Sequence, residues 1–151
     1  MKIIQLSKGA VTLVDDSNFE SLRHFKWHLT NTGRAGRIAR IDGKKCTILM
    51  HRQILNAQPG EQVDHKNMDP LDNRRDNLRL ASFCENQWNR CRYSNNSTGA
   101  KGVDFRGNRF RVRIQVHGKS ISLGTFVSLE LAQQAYAKAA SKYHGEFARA
   151  M

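Results

Sequence analysis

The chain has 151 residues, enough for one ordinary domain or two small ones. It carries 25 Lys and Arg against 13 Asp and Glu, a formal charge of +12, which on so small a chain points to a polyanionic partner, either nucleic acid or an anionic membrane surface. No apolar run nears the ~18 residues of a membrane span and no signal peptide opens the chain, while three cysteines (Cys46, Cys84, Cys91) without a Cys-x-x-Cys pair argue against a disulfide framework or thiolate zinc site. The expectation is an intracellular protein with no membrane partner.

Residues 1 to 50 predict a strand-rich leader. Ile3, Ile4 and Leu6, then Val11, Leu13 and Val14, form short apolar or alternating runs. Asp15 to Asn18 read as a turn or helix cap, after which Phe19, Leu22, Phe25 and Trp27 can face a core from a short helix. Gly43 suits a hairpin turn between Arg37–Ile41 and Cys46–Met50. HRQILN, residues 51 to 56, predicts a short helix ended by Pro59-Gly60. Residues 63 to 89 read as strand, long turn, strand and helix, with Ser82 as the helix cap. CRYSNNST, residues 91 to 98, is polar and without apolar period, and reads as a linker that spans ~28 Å at roughly 3.5 Å per residue.

The remaining stretch alternates. In RFRVRIQV, Phe110, Val112, Ile114 and Val116 point one way, and Arg109, Arg111, Arg113 and Gln115 the other. Turns at Gly107-Asn108 and His117-Gly118-Lys119 join three strands. After Ser128, Ala132, Ala135, Tyr136, Ala139, Ala140 and Tyr143 follow a helical period. The prediction is α+β, ending in a three-stranded antiparallel sheet packed on one helix. Positive charge is denser in this part. Residues 1 to 91 hold 15 basic and 10 acidic side chains, net +5, whereas residues 92 to 151 hold 10 and 3, net +7.

Three outward arginines at ~6.6 Å intervals, opposed on that face by Asp104, offer guanidinium forks suited to phosphates and guanine edges. Residues 98 to 148 resemble the Apetala/ethylene-response-factor type of DNA-binding domain. The marks are Lys101-Gly102-Val103, Phe110 in place of the usual Trp, Leu123-Gly124-Thr125-Phe126, Ala135-Tyr136 and Gly145-Glu146-Phe147-Ala148. The resemblance implies a sheet laid in the major groove of double-stranded DNA, with contacts from Lys101, Arg106, Arg109, Arg111, Arg113 and Gln115. Asp104 stands where plant members carry a base-contacting Arg, and Ser120 and Ser122 replace an Arg and a Trp, so the plant target does not carry over.

VDHKNMDPLDNRRDNLRL, residues 63 to 80, sets Asp64 beside His65 ahead of a turn rich in Asn and Asp. An imidazole of ordinary pKa can take a proton from water near pH 7. A carboxylate and an amide oxygen suit a hard cation, and Asn86 on the following helix could bring such an oxygen back beside Asp64. Asn73 and Asn77 can brace the long turn through its backbone and so fix the imidazole's aim. Together HRQILN…VDHKNMDPLDNRRDNLRLASFCENQWNR resembles the His-Asn-His (HNH) nucleases, in the variant whose last member is Asn, over residues 50 to 90. This implies a ββα-metal core at 51 to 90 with His65 as general base, Asp64 and Asn86 as metal ligands and Asn77 as loop support. The cofactor implied is one divalent cation, Mg²⁺ or alternatively Mn²⁺. His51 matches the family's Met-His-Arg, and it also reads as a bracing imidazole. Arg74, Arg75, Arg79 and Arg90 are candidate phosphate contacts or solvated side chains. His24, His28, His117 and His144 have no constellation around them.

The sequence thus predicts a phage or mobile-element endonuclease of homing type, monomer or homodimer. Residues 1 to 90 would carry the nuclease, and 99 to 151 the DNA anchor. The alternatives are a non-cutting DNA-binding regulator on the same fold and, third, an RNA-binding module.

Overall fold

A computed structural model describes residues 1–89 and 96–148. They divide into two compact units, Met1–Ala81 and Ser82–Met151. The expected boundary at residue 90 and the linker's residues 91 to 95 lie outside the described residues. No helix among the described residues is long and apolar enough to cross a membrane.

The first unit opens with antiparallel strands β1 (Lys2–Gln5) and β2 (Val11–Val14). Asp15 stands at the N-cap of α1 (Asp16–Leu22). Beyond it, Trp27 is buried and donates its indole Nε1–H to the Leu22 carbonyl at 2.8 Å, while Phe25 remains 39% exposed. A second sheet follows in the order β3 (His28–Leu29), β4 (Ala35–Ile41), β5 (Lys44–Leu49). Asp42 and Gly43 both have positive φ, 50° and 74°. That is the primed-turn geometry whose twist suits a two-residue hairpin, and it explains why Gly occupies position 43. Helix α2 (Met50–Leu55) ends sooner than Pro59-Gly60 suggests, because Asn56 turns left-handed at φ 51° and donates its N–H back to the last carbonyls. Ile4, Leu6, Val14, Leu22, Trp27, Ala35, Met50, Ile54 and Leu78 form one core. Strands β6 (Gln62–His65) and β7 (Leu78–Ala81) pair antiparallel at its edge.

The second unit begins with α3 (Phe83–Trp88), capped by Ser82 and Glu85 in a reciprocal capping box. Strands β8 (Val103–Arg106), β9 (Arg109–Val116) and β10 (Lys119–Phe126) form an antiparallel sheet in the order β10-β9-β8. Helix α4 (Leu129–His144) covers one face. Ala132, Tyr136, Ala139 and Ala140 pack on Val103, Val112 and Ile114. Gly102 (φ 71°) lies so close beneath Tyr136 and the Arg113 carbonyl that a Cβ there would collide with both. The composition is α+β, as the sequence predicts.

Candidate active site

β6 and β7 bring two polar residues into the first unit's interior. Register sets Asp64 opposite Arg79 and His65 opposite Leu78. Asp64 and His65 are only 6% and 7% exposed, and neighbouring strand positions point to opposite faces. The Asp64 carboxylate accepts from Arg79 Nε at 2.8 Å and Nη2 at 2.7 Å, both on Oδ2. Arg79 is itself 10% exposed, so it is an interior partner of Asp64 and not a surface phosphate contact.

The turn between the strands is held by its own side chains. Asn77 Oδ1 accepts from the Asn67 backbone N–H at 3.0 Å, and its Nδ2 donates to Asn67 Oδ1 and the Asp72 carbonyl. Asp69 caps the Leu71 N–H, and Asp72 accepts from Asn67 Nδ2 and from the Arg74 guanidinium at 2.6 and 2.7 Å. Those contacts hold the Asp72 carboxyl below its ordinary pKa, the Arg74 hydrogen bond contributing most. The turn is also pinned to β2: Leu13 N–H donates to the Leu71 carbonyl and Asn73 N–H to the Leu13 carbonyl, both at 2.9 Å.

Asn73, fully buried, aims the imidazole. Its Nδ2 donates to Thr12 Oγ1 at 2.7 Å, and Thr12 Oγ1 donates onward to the Leu71 carbonyl. That chain fixes the amide orientation, so Asn73 Oδ1 is the atom that faces His65 Nε2, at 3.5 Å. An acceptor there favours the proton on Nε2 and makes Nδ1 the basic nitrogen. Burial pushes the His65 pKa down, and the Asn73 contact and the Asp64 charge oppose the shift. The lowered pKa favours the neutral form of the ring near pH 7.

His51, 4% exposed at the start of α2, packs edge to face on His65 with ring centroids 5.1 Å apart. Burial, then the charges of His65, Arg34 and Arg52, lower its pKa to about 3. Its buried Nδ1 has no hydrogen-bond partner among the described residues. Arg52, next in the Met-His-Arg run, donates to the carbonyls of Ala57, Gln58 and Glu61 and so shapes the approach to β6.

Residues 57–88 match the family model described as HNH endonuclease. Protein 3.8 of Escherichia phage T7 is 34% identical over 92 residues, covering 60% of this chain and 75% of that protein. The chain belongs to the family of this phage protein. No solved structure matches it. The HNH match contains Asp64, His65, Asn73, Asn77 and Asn86, and so spans the hairpin, its turn and α3.

The remaining predicted residues fall elsewhere. Asn86 is half-buried on α3, in the second unit. Arg75 is exposed, with Nη1 on the Ile54 carbonyl at 3.2 Å. Arg90 lies outside the described residues. In the sheet, Arg106 faces Arg109 across β8 and β9, and both are exposed. Arg111 and Arg113 both donate to Asp104 Oδ2. Lys101 Nζ donates to the Trp88 carbonyl. Gln115 is exposed, and its carbonyl accepts from His144 Nε2 at 2.8 Å. His144 stacks on Trp88 at 4.4 Å and His117 meets the same indole edgewise, so these two histidines do have a constellation.

The HNH region's donors are of the kind a hard cation takes. Among the described residues no three His, Cys, Asp or Glu side chains cluster as a metal cage. A carboxylate with an amide oxygen instead suits a cation that keeps most of its waters; the Asp64 carboxylate is held by Arg79.

Proposed function

We propose that the chain is a metal-dependent DNA endonuclease of homing type, hydrolysing a phosphodiester bond with water activated by His65. The observation that carries this reading is the buried His65, with Asn73 Oδ1 facing its Nε2, inside a stretch that matches HNH endonucleases. His65 Nδ1 takes the proton of the attacking water. Asn77 and Asn67 keep the turn closed so that the ring's aim does not drift. By the motif, Asp64 and Asn86 would be the oxygen donors to one divalent cation, Mg²⁺ or Mn²⁺. When bound, the cation would neutralise the scissile phosphate and stabilise the leaving oxygen. The sheet of β8 to β10 lies in the DNA major groove as an Apetala/ethylene-response-factor-type anchor. One such site per chain suits a nick, and a homodimer would cut both strands.

One observation favours a second reading, a non-cutting DNA-binding regulator. Arg79 already neutralises Asp64 with two short hydrogen bonds, which competes with a cation for that oxygen. The two readings separate on supercoiled plasmid DNA. The nuclease yields relaxed or linear product in Mg²⁺ and none with chelator, whereas the regulator binds and leaves the plasmid intact.

A further inference from the structure

The outward face of the sheet is not a uniform row of free cations. Register places Asp104 of β8 directly opposite Arg111 of β9, and Ser122 of β10 opposite Arg113. Asp104 Oδ2 accepts from Arg111 Nη2 at 3.2 Å and from Arg113 Nη2 at 2.5 Å. The three side chains stay 36 to 47% exposed, so the cluster faces solvent. Arg111 Nε–H is buried and has no acceptor among the described residues, so the cluster does not satisfy its own donors. Arg106 and Arg109, two residues along on the same face, pair with each other and have no carboxylate opposite them.

We propose that Asp104 is a specificity-determining residue, which withdraws Arg111 and Arg113 from phosphate clamping and holds their forks for reading base edges. The inference rests on the reading that this sheet binds DNA. A guanidinium sharing a carboxylate brings less net charge to a phosphate and releases fewer counterions, so it adds little to sequence-independent affinity. Its remaining N–H groups, fixed in direction, keep the geometry that a base edge requires. Sequence-independent affinity then falls to Arg106 and Arg109. The hydrogen bonds from Arg113 and Arg111 overcome the effect of burial and keep the Asp104 carboxyl below its ordinary pKa, hence charged throughout the neutral range.

The test uses the full chain in excess chelator, so that binding is read without cutting. Two duplexes serve as probes: one carrying a site selected by the wild-type chain from a random pool, and one a scrambled sequence of equal composition. Asp104→Asn, isosteric and partly exposed, is expected to tighten binding to the scrambled duplex by roughly fivefold at 0.15 M salt for each arginine released, and to steepen the salt slope by about 0.9 each. The ratio of selected to scrambled affinity is expected to shrink. Adding Arg113→Gln should return the scrambled affinity toward wild type. An Asp104→Asn chain with unchanged slope and ratio overturns the inference. If a chain with Arg106, Arg109, Arg111 and Arg113 all changed to Gln binds both duplexes like wild type, the sheet does not touch DNA, and the anchoring reading falls with it. If that chain loses binding while Asp104→Asn changes nothing, this inference alone falls.

Discussion

Two imidazoles sit edge to face in the first unit, and their surroundings give them different work. His65 has an amide acceptor on one nitrogen, whereas His51 has a buried nitrogen with no partner among the described residues and a pKa of about 3. Removing the base by His65→Ala is expected to cost on the order of 10²–10⁴ in cleavage rate while DNA binding in chelator persists. Wild-type cutting by the folded variant would mean that another group activates water. His51 should show in stability. Above its ordinary pKa of 6.5 the ring is neutral in both folded and unfolded chains. As pH falls, the unfolded chain takes up a proton that the folded chain refuses until about pH 3. Stability is therefore full above 6.5 and declines below it by about 1.4 kcal/mol per pH unit for this one group. Denaturant midpoints for His51→Leu should fall less steeply over that window, and an unchanged slope would remove His51 from the account. At this scale the sequence was half legible. Asp64 and His65 stand out because they are adjacent and precede a turn-rich stretch. That Asn73 serves the imidazole's aim was legible, but its route was not: the amide is fixed by Thr12, a partner 61 residues away, and no local spacing encodes that contact.

Elements were easier to read wherever one face meets a core. The alternation of β9 and the helical period of α4 each mark a buried face, and the structure buries Val112, Ile114, Ala132, Tyr136 and Ala140. Turns were legible where positive φ demands Gly or Asn, as at Gly107 (54°) and Asn108 (66°). The end of α2 was misread because Asn56 can adopt the left-handed cap that Gly usually fills. Gly102 joins β8 to the packing of α4, and a side chain there meets Tyr136 and the Arg113 carbonyl as well as a positive φ. Gly102→Ala should destabilise the second unit by about 2–5 kcal/mol, combining left-handed strain of ~1–2 with overpacking of ~1–3. A thermal unfolding midpoint equal to wild type would show that the backbone relaxes there at no cost.

At the scale of the whole molecule, composition pointed to an anionic partner, and the net positive charge is denser in the second half. The second unit begins at Ser82, the cap of α3, and the capping signal that marks the helix says nothing about which unit the helix joins. Arg109 lies outside the Asp104 cluster on the exposed face. Arg109→Ala should lower the salt slope of DNA binding by about 1, and an unchanged slope would place the phosphate contacts elsewhere. The claim on which everything else depends is that this chain cuts DNA through His65 with a divalent cation. Incubation of supercoiled plasmid with the full chain, first in Mg²⁺ and then in excess chelator, with His65→Ala in parallel, tests it most directly. The account predicts relaxed or linear plasmid for the wild-type chain in Mg²⁺ alone, and supercoiled plasmid in the other two reactions. Plasmid left supercoiled by a folded, DNA-bound wild-type chain across the whole Mg²⁺ and Mn²⁺ titration would contradict it.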